Sequence, residues 1–582
     1  MFRQIINDED LRISGVELLL HLRLHKGSFP LACINRSSLK NRECCPVPQG
    51  FTAPCGSDGN RGKCHEFTVR RWNVTYSHFK EFQKEDDRSL WPNPLYTRVC
   101  KCNANFGGYD CGDCEFGYHG TNCDQKTILK RKNFQTMSDE EKDRYMRYVN
   151  MSRFAISDYM VTTAAYDEIR NESDHGGDPT GLFSNITVHN LFVWMHYYST
   201  RYTFIPDERG TQSGIDVAHG GQGILTWHRL YLLFYDRSLQ KMTHDESFTV
   251  PYWKWTENKE TCTICTEKHF GVTNVTTGRV TGKYFTSWSV ICTEEQTRGM
   301  TRMCNSSDEK SWLGRLNSKE KKGLEDRGFA TTFPTLEDVN FALKFETFDI
   351  PPHSAETSCS FRNILEGFAS SKTGYRLPNV HTLHNQVHIY MGGDMGDVPS
   401  AANDPIFYLH HSFIDLIFEK WLQTYKQNAT VLSPYDAPLG HNKGGVIIPM
   451  FPVYTHEQMF KRSQEFGYSY EGPPPGEGFP PGFCPVSGSN STSPCPSPSA
   501  ILQSNYAIII GLSVAVPLLF FLLVAVQVYF YKSRRPVSSP VTTCEYRELQ
   551  TSELQTSEQS TAGTTGDHDD GDNDRMEDPL LI

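Results

Sequence analysis

The sequence predicts a mainly α fold with a small disulfide-rich unit towards its N-terminal end and one membrane-spanning helix near its C-terminal end. Three observations predict it. Four stretches, residues 188–198, 230–240, 383–390 and 414–425, repeat apolar residues three and four apart, the spacing that lines one face of a helix. Ten of the 18 cysteines fall between Cys33 and Cys123. One apolar run, residues 507–526, is broken only by Gly511, Ser513 and Pro517, and 20 helical residues cross about 30 Å of hydrocarbon.

Taken in order, residues 1–27 are an atypical signal region, with an acidic Asp8-Glu9-Asp10 cluster and only a short apolar patch around Leu18-Leu19-Leu20. The expectation is that the native start is missing from this chain or replaced in it. Residues 28–129 are rich in Cys, Gly and Asn without helical periodicity, a unit held by disulfides rather than by a core. Within it Cys100-x-Cys102, Cys111-x2-Cys114 and Cys123, interleaved with Gly107-Gly108-Tyr109 and Gly117-Tyr118, resemble an EGF-like module; a zinc site is the competing reading of Cys111 and Cys114. Residues 130–465 turn aromatic and helix-compatible and form the large domain. Residues 466–505 are dominated by Pro, Gly and Ser and read as a stalk. The span follows at 506–531, and Lys532, Arg534 and Arg535 directly after it place the polar, acidic tail 532–582 in the cytosol and the rest of the chain in the lumen. The tail ends Glu577-Asp578-Pro579-Leu580-Leu581-Ile582, in which Glu577, Leu581 and Ile582 resemble an acidic dileucine signal read by a sorting adaptor.

A net charge of −11 lacks the basic footprint that nucleic-acid binding requires. The cysteine density belongs to an oxidising compartment. Nine N-x-[ST] sequons, at Asn35, Asn73, Asn150, Asn171, Asn185, Asn274, Asn305, Asn428 and Asn490, all precede the span and point to a glycosylated lumenal chain. Seventeen cysteines precede the span, an odd number. The front ten can pair among themselves, Cys262 with Cys265, Cys292 with Cys304 and Cys484 with Cys495, leaving Cys359 as the residue expected to lack a partner in the chain.

His384 and His388 stand four apart in a predicted helix, so both imidazoles project from one face as a two-nitrogen metal seat. The His410-His411 pair, just ahead of an apolar helix, offers a third. His196, His219 and His228 form an earlier trio. Any one of them alone reads as a core histidine; six in aromatic helical surroundings read as two three-nitrogen sites inside a four-helix bundle. A thiolate-free imidazole set suits copper or zinc, and two sites face to face suit a metal pair that handles oxygen.

Trp227-His228-Arg229, Pro251-Tyr252-Trp253-x-Trp255, His384-x3-His388 and Asn403-Asp404-Pro405-Ile406-Phe407-x2-His410-His411 resemble the type-3 copper tyrosinase family, and the likeness spans almost the whole chain in its vertebrate-type layout. The resemblance implies two copper ions, one on His196, His219 and His228 and the other on His384, His388 and His411. It implies oxidation by O2 of a small phenol such as tyrosine, and of catechols such as L-DOPA, to o-quinones in melanin synthesis. It implies Glu366 and Asn385 as the pair orienting a proton-accepting water, Phe368 and Ala401 as pocket residues, and a melanosome or related endolysosomal membrane as the location.

Several positions depart from the family pattern. After His219 the chain reads Gly220-Gly221-Gln222-Gly223 where the family has an acidic, proline-containing, bulkier segment, and three glycines raise backbone freedom beside a proposed ligand. Lys254 replaces the family's usual acidic residue between the two tryptophans, and Thr226 and Ser400-Ala401-Ala402-Asn403 resemble the tyrosinase-related branch, which makes a zinc-containing dopachrome tautomerase the alternative activity. An oxygen carrier or adhesion protein is a third, non-enzymatic reading. The adjacent His410-His411 favours the oxidase.

Overall fold

A computed structural model describes residues 27–471 apart from 71–85, 163, 202–203, 207–211, 292–311 and 330, together with the strands Phe483–Pro485 and Thr492–Pro494. The helical core is the one the periodicity predicts: α1 (Val188–Thr200), α2 (Ile224–Thr243), α3 (Leu383–Met391) and α4 (Ile406–Tyr425). Two of them begin earlier than the pattern indicates. Residues 224–235 of α2 and 406–419 of α4 are buried on every side, so their first turns carry no polar face and no amphipathic period. His228, His410 and His411 consequently lie within helices, where the sequence placed the pair just ahead of one.

Local chemistry fixes the ends. Thr187 caps α1 by accepting from the Asn190 amide, and Asp404 accepts from the Ile406 amide at 3.0 Å where α4 starts behind Pro405. α3 stops at Gly392, whose φ of 56° is open to glycine. α4 packs along α2, and Arg229 of α2 donates to the Asp415 carboxylate of α4 at 2.6 Å with both groups buried. Tyr468 and Tyr470 donate to the other oxygen of Asp415, each at 2.6 Å, so the buried charge is satisfied from three sides.

The front unit carries five disulfides, Cys33–Cys44, Cys45–Cys64, Cys55–Cys100, Cys102–Cys111 and Cys114–Cys123, which uses all ten of its cysteines and leaves no thiolate for zinc. It also has a core. Phe29, Trp91 and Tyr96 are buried against one another and against Phe451, and Ser28–Pro30 pairs antiparallel with Ile156–Thr162, which pairs in turn with Phe183–Thr187 leading into α1. Cys262 pairs with Cys265 as expected. Cys359 does not stand alone: it is disulfide-bonded.

Among the described residues no helix is long and apolar enough to cross a membrane; the run 507–526 lies outside them. So do residues 1–26, Asn73, Asn305, Asn490, Glu577, Leu581 and Ile582. Asn35, Asn171, Asn185, Asn274 and Asn428 are exposed, and Asn150 is half-buried.

Candidate metal centre

Seven imidazoles from four helices and one loop meet in the middle of the bundle. His196 comes from α1, His228 from the first turn and a half of α2, and His219 from the loop between them; their nitrogens lie within 4.8 Å of one another. His384 and His388, one turn apart on α3, form a second group with His410 and His411 of α4 under the same distance limit. The two groups touch. The rings of His228 and His411 stack at 3.8 Å between centroids, 2° from parallel, and those of His219 and His384 lie 5.9 Å apart.

The hydrogen bonds leave one nitrogen of most rings bare. Nδ1 of His219 donates to Asp216 at 3.0 Å, that of His228 to the Ile224 carbonyl at 2.9 Å, that of His384 to the Asn385 side-chain oxygen at 2.8 Å and that of His388 to the Met395 carbonyl at 2.7 Å. Each bond fixes the tautomer in which Nε2 is the acceptor. Nε2 of His196, His228, His384, His388 and His411 is buried without a partner. Leaving five buried acceptors unsatisfied costs on the order of 1–3 kcal/mol each, a cost a metal ion on each trio removes. The residues therefore fit a pair of metal ions. Burial first, and then the neighbouring rings, hold His228, His388 and His411 well below the ordinary imidazole pKa, and His384 at about 3. All four are neutral, the form that binds metal.

Comparison with known proteins bears on the same residues. The model of the common central domain of tyrosinase matches residues 186–424, which hold every histidine of both groups. The chain is 37% identical to the tyrosinase of Canis lupus familiaris over 78% of its length and 83% of that protein, and 38% identical to that of Gallus gallus over 78% and 84%. The chain belongs to the tyrosinase family. Within it the chain is also 34% identical to the 5,6-dihydroxyindole-2-carboxylic acid oxidase of Carassius auratus, over 78% of this chain and 86% of that one.

Other residues of this family member stand close to the centre. Glu366 is buried at the end of helix Phe361–Glu366, accepting from the Gly220 amide at 2.5 Å and from Arg362 at 2.8 Å. Burial raises its pKa against the pull of Arg362. Asn385 gives its oxygen to His384 and leaves Nδ2 buried and unpartnered. Phe368 is partly exposed beside His381, and Ala401 is buried in the turn Val398–Asn403 that packs on α1. The His410-His411 pair is legible in the sequence, but only His411 is assigned there as a ligand; His410 has both nitrogens buried and unpartnered, 4.8 Å (ring to ring) from His388. Sequence reasoning passed over Asp216, although Asp-x-x-His is a readable spacing for a carboxylate that orients a ligand. Asp216→Asn is expected to weaken metal affinity at the first trio by about 10–100-fold, the usual cost of losing such a partner; an unchanged metal titration would show that His219 needs no orienting group.

The glycine-rich loop is filled rather than loose. A Cβ on Gly221 would lie 2.7 Å from the His441 ring, and one on Gly223 2.5 Å from the His456 ring. His441 accepts from the Gly223 amide at 3.2 Å and donates to the Asp216 carbonyl at 2.9 Å, and His456 bonds to Thr226 at 2.7 Å and to the Gly440 carbonyl at 2.8 Å. Two imidazoles thus occupy the volume the glycines vacate. Burial pushes His441 down to about 4 and His456 down to about 3. An unfolded histidine titrates near 6.5, so between about pH 6.5 and pH 4 the unfolded chain binds protons that the folded chain refuses. Stability is full above that window and falls through it by about 1.4 kcal/mol per pH unit for each such histidine. The urea midpoint of the metal-free protein is expected to be lower at pH 5 than at pH 7, with a smaller difference in His456→Gln; equal midpoints at the two pH values would contradict this.

Proposed function

We propose that this chain is a copper-dependent monophenol monooxygenase and catechol oxidase that converts tyrosine and L-DOPA to o-quinones with O2 in melanin synthesis. One observation carries the reading: two groups of imidazoles face each other, with buried, bare Nε2 atoms on both sides. His196, His219 and His228 would hold one copper and His384, His388 and His411 the other. The copper pair supplies oxygen binding and the two-electron redox change. Hydroxylation also requires the phenol to lose its proton beside the metals, and a water oriented by Glu366 and the free amide of Asn385 would accept it. Phe368 and Ala401 border the pocket.

The same reading places the catalytic domain, 130–465, in the lumen behind the cysteine-rich 28–129, on the stalk 466–505 and the span 506–531. Its nine sequons carry glycans, and the tail 532–582 delivers it to a melanosome-type membrane through an adaptor on Glu577, Leu581 and Ile582. Protein loaded with copper at neutral pH is expected to consume O2 with a monophenol. Preferential uptake of zinc, or turnover of dopachrome without oxygen, would overturn this reading in favour of the tautomerase.

A further inference from the structure

Of the seven imidazoles only His219 is reached by solvent, with 10% of its side chain exposed, while the other six residues are exposed by 3% or less. The open side of the centre is therefore at His219. There the Gly220 amide bonds to Glu366, and the Glu366 carbonyl faces Nδ1 of His384 at 3.2 Å. The chain continues from Glu366 into a partly exposed rim. Thr382 bolts that rim to α3, donating its amide to the Gly367 carbonyl at 3.0 Å and its hydroxyl to the Ala369 carbonyl at 3.0 Å. Phe368 and His381 meet on it edge to face at 6.1 Å, and the Arg376 guanidinium lies 5.9 Å from the Phe368 ring, held by a bridge between Ala369 and Arg376.

Arg376 is a half-buried cation with little to hold. Its side chain is 22% exposed; Nη1 donates to the Leu377 carbonyl at 2.6 Å, and Nε has no hydrogen-bond partner. The nearest carboxylate, Glu356, is 3.7 Å away and 70% exposed, too distant for a hydrogen bond. The neighbouring His381 is neutral, pushed down to about 4 by burial and then by Arg376 itself. A guanidinium with an open edge binds a carboxylate through paired donors.

We propose that Arg376 selects phenols and catechols whose side chain ends in a carboxylate, seating that group at the rim while the ring lies over Phe368 with its hydroxyl towards the histidines. This inference rests on the function proposed above, whose tyrosine and L-DOPA both carry such a carboxylate, and adds the residue that selects for it. Glu356 competes for the same cation, so removing its charge should favour the substrate.

The test uses the copper-loaded full chain and two catechols, 3-(3,4-dihydroxyphenyl)propionate and 4-methylcatechol. The ratio of kcat/KM for the first over the second is expected to fall about tenfold in Arg376→Gln, the scale of one charge-assisted hydrogen bond, mainly through KM, and to rise in Glu356→Gln. A ratio unmoved by both substitutions, or loss of both activities alike, would overturn the proposal. Calorimetry of the zinc-loaded full chain with 3-(4-hydroxyphenyl)propionate and 4-ethylphenol reads the same preference without turnover. A chain that oxidises neither catechol defeats the proposed function, and one that binds the two phenols equally defeats this inference.

Discussion

His388→Ala is expected to leave one metal ion per chain where there were two and to abolish oxidation of both monophenol and catechol. His388 sits in the last turn of α3, its Nδ1 pinned to the Met395 carbonyl, so that Nε2 points into the centre with no other partner. Alanine removes a donor that no backbone group replaces. His384 and His411 remain, and two imidazoles hold a divalent ion far more weakly than three. The first trio contributes nothing to the second and should keep its metal. Metal analysis after dialysis, read together with oxygen uptake, distinguishes the outcomes. Retention of two ions with intact turnover would show that His410, 5.1 Å from His384, completes the second site in place of His388.

Much of this was readable before the fold was known, because the decisive spacing is local. His384 and His388 differ by one helical turn, so their shared face follows from the sequence, as does the self-contained pairing of ten neighbouring cysteines. What escaped is long-range. His441 and His456 stand more than 200 residues from the glycines they pack against, and nothing in Gly220-Gly221-Gln222-Gly223 indicates what fills the space. The early turns of α2 and α4 escaped for a different reason: a helix buried on all sides has no amphipathic period to detect. Parity of the cysteine count misled, since it assigned Cys359 no partner where the fold gives it one.

Gly367→Ala is expected to unfold or deform the side of the centre that holds Glu366 and Asn385. Gly367 ends helix Phe361–Glu366 with φ at 106° and ψ at 10°, a left-handed conformation that costs an alanine about 1–2 kcal/mol. Space is the larger obstacle. An added Cβ would stand 2.0 Å from the Thr382 carbonyl and 3.0 Å from the Asn385 Cβ, and neither can retreat, because Thr382 leads directly into α3 and its amide is bonded to Gly367 itself. Relief must come from moving the 366–368 segment away from α3, which drags Glu366 from the Gly220 amide and Phe368 from the rim. The cost of strain plus overpacking is about 3–5 kcal/mol, read as a fall in Tm. Gly323, inside helix Ser318–Asp326 with nothing within 4 Å of its would-be Cβ, is the control. There alanine should raise stability by about 0.5–1 kcal/mol. If the two alanines shifted Tm alike, Gly367 would be an ordinary helix end, and the tie between Glu366, Phe368 and the start of α3 would not constrain the site.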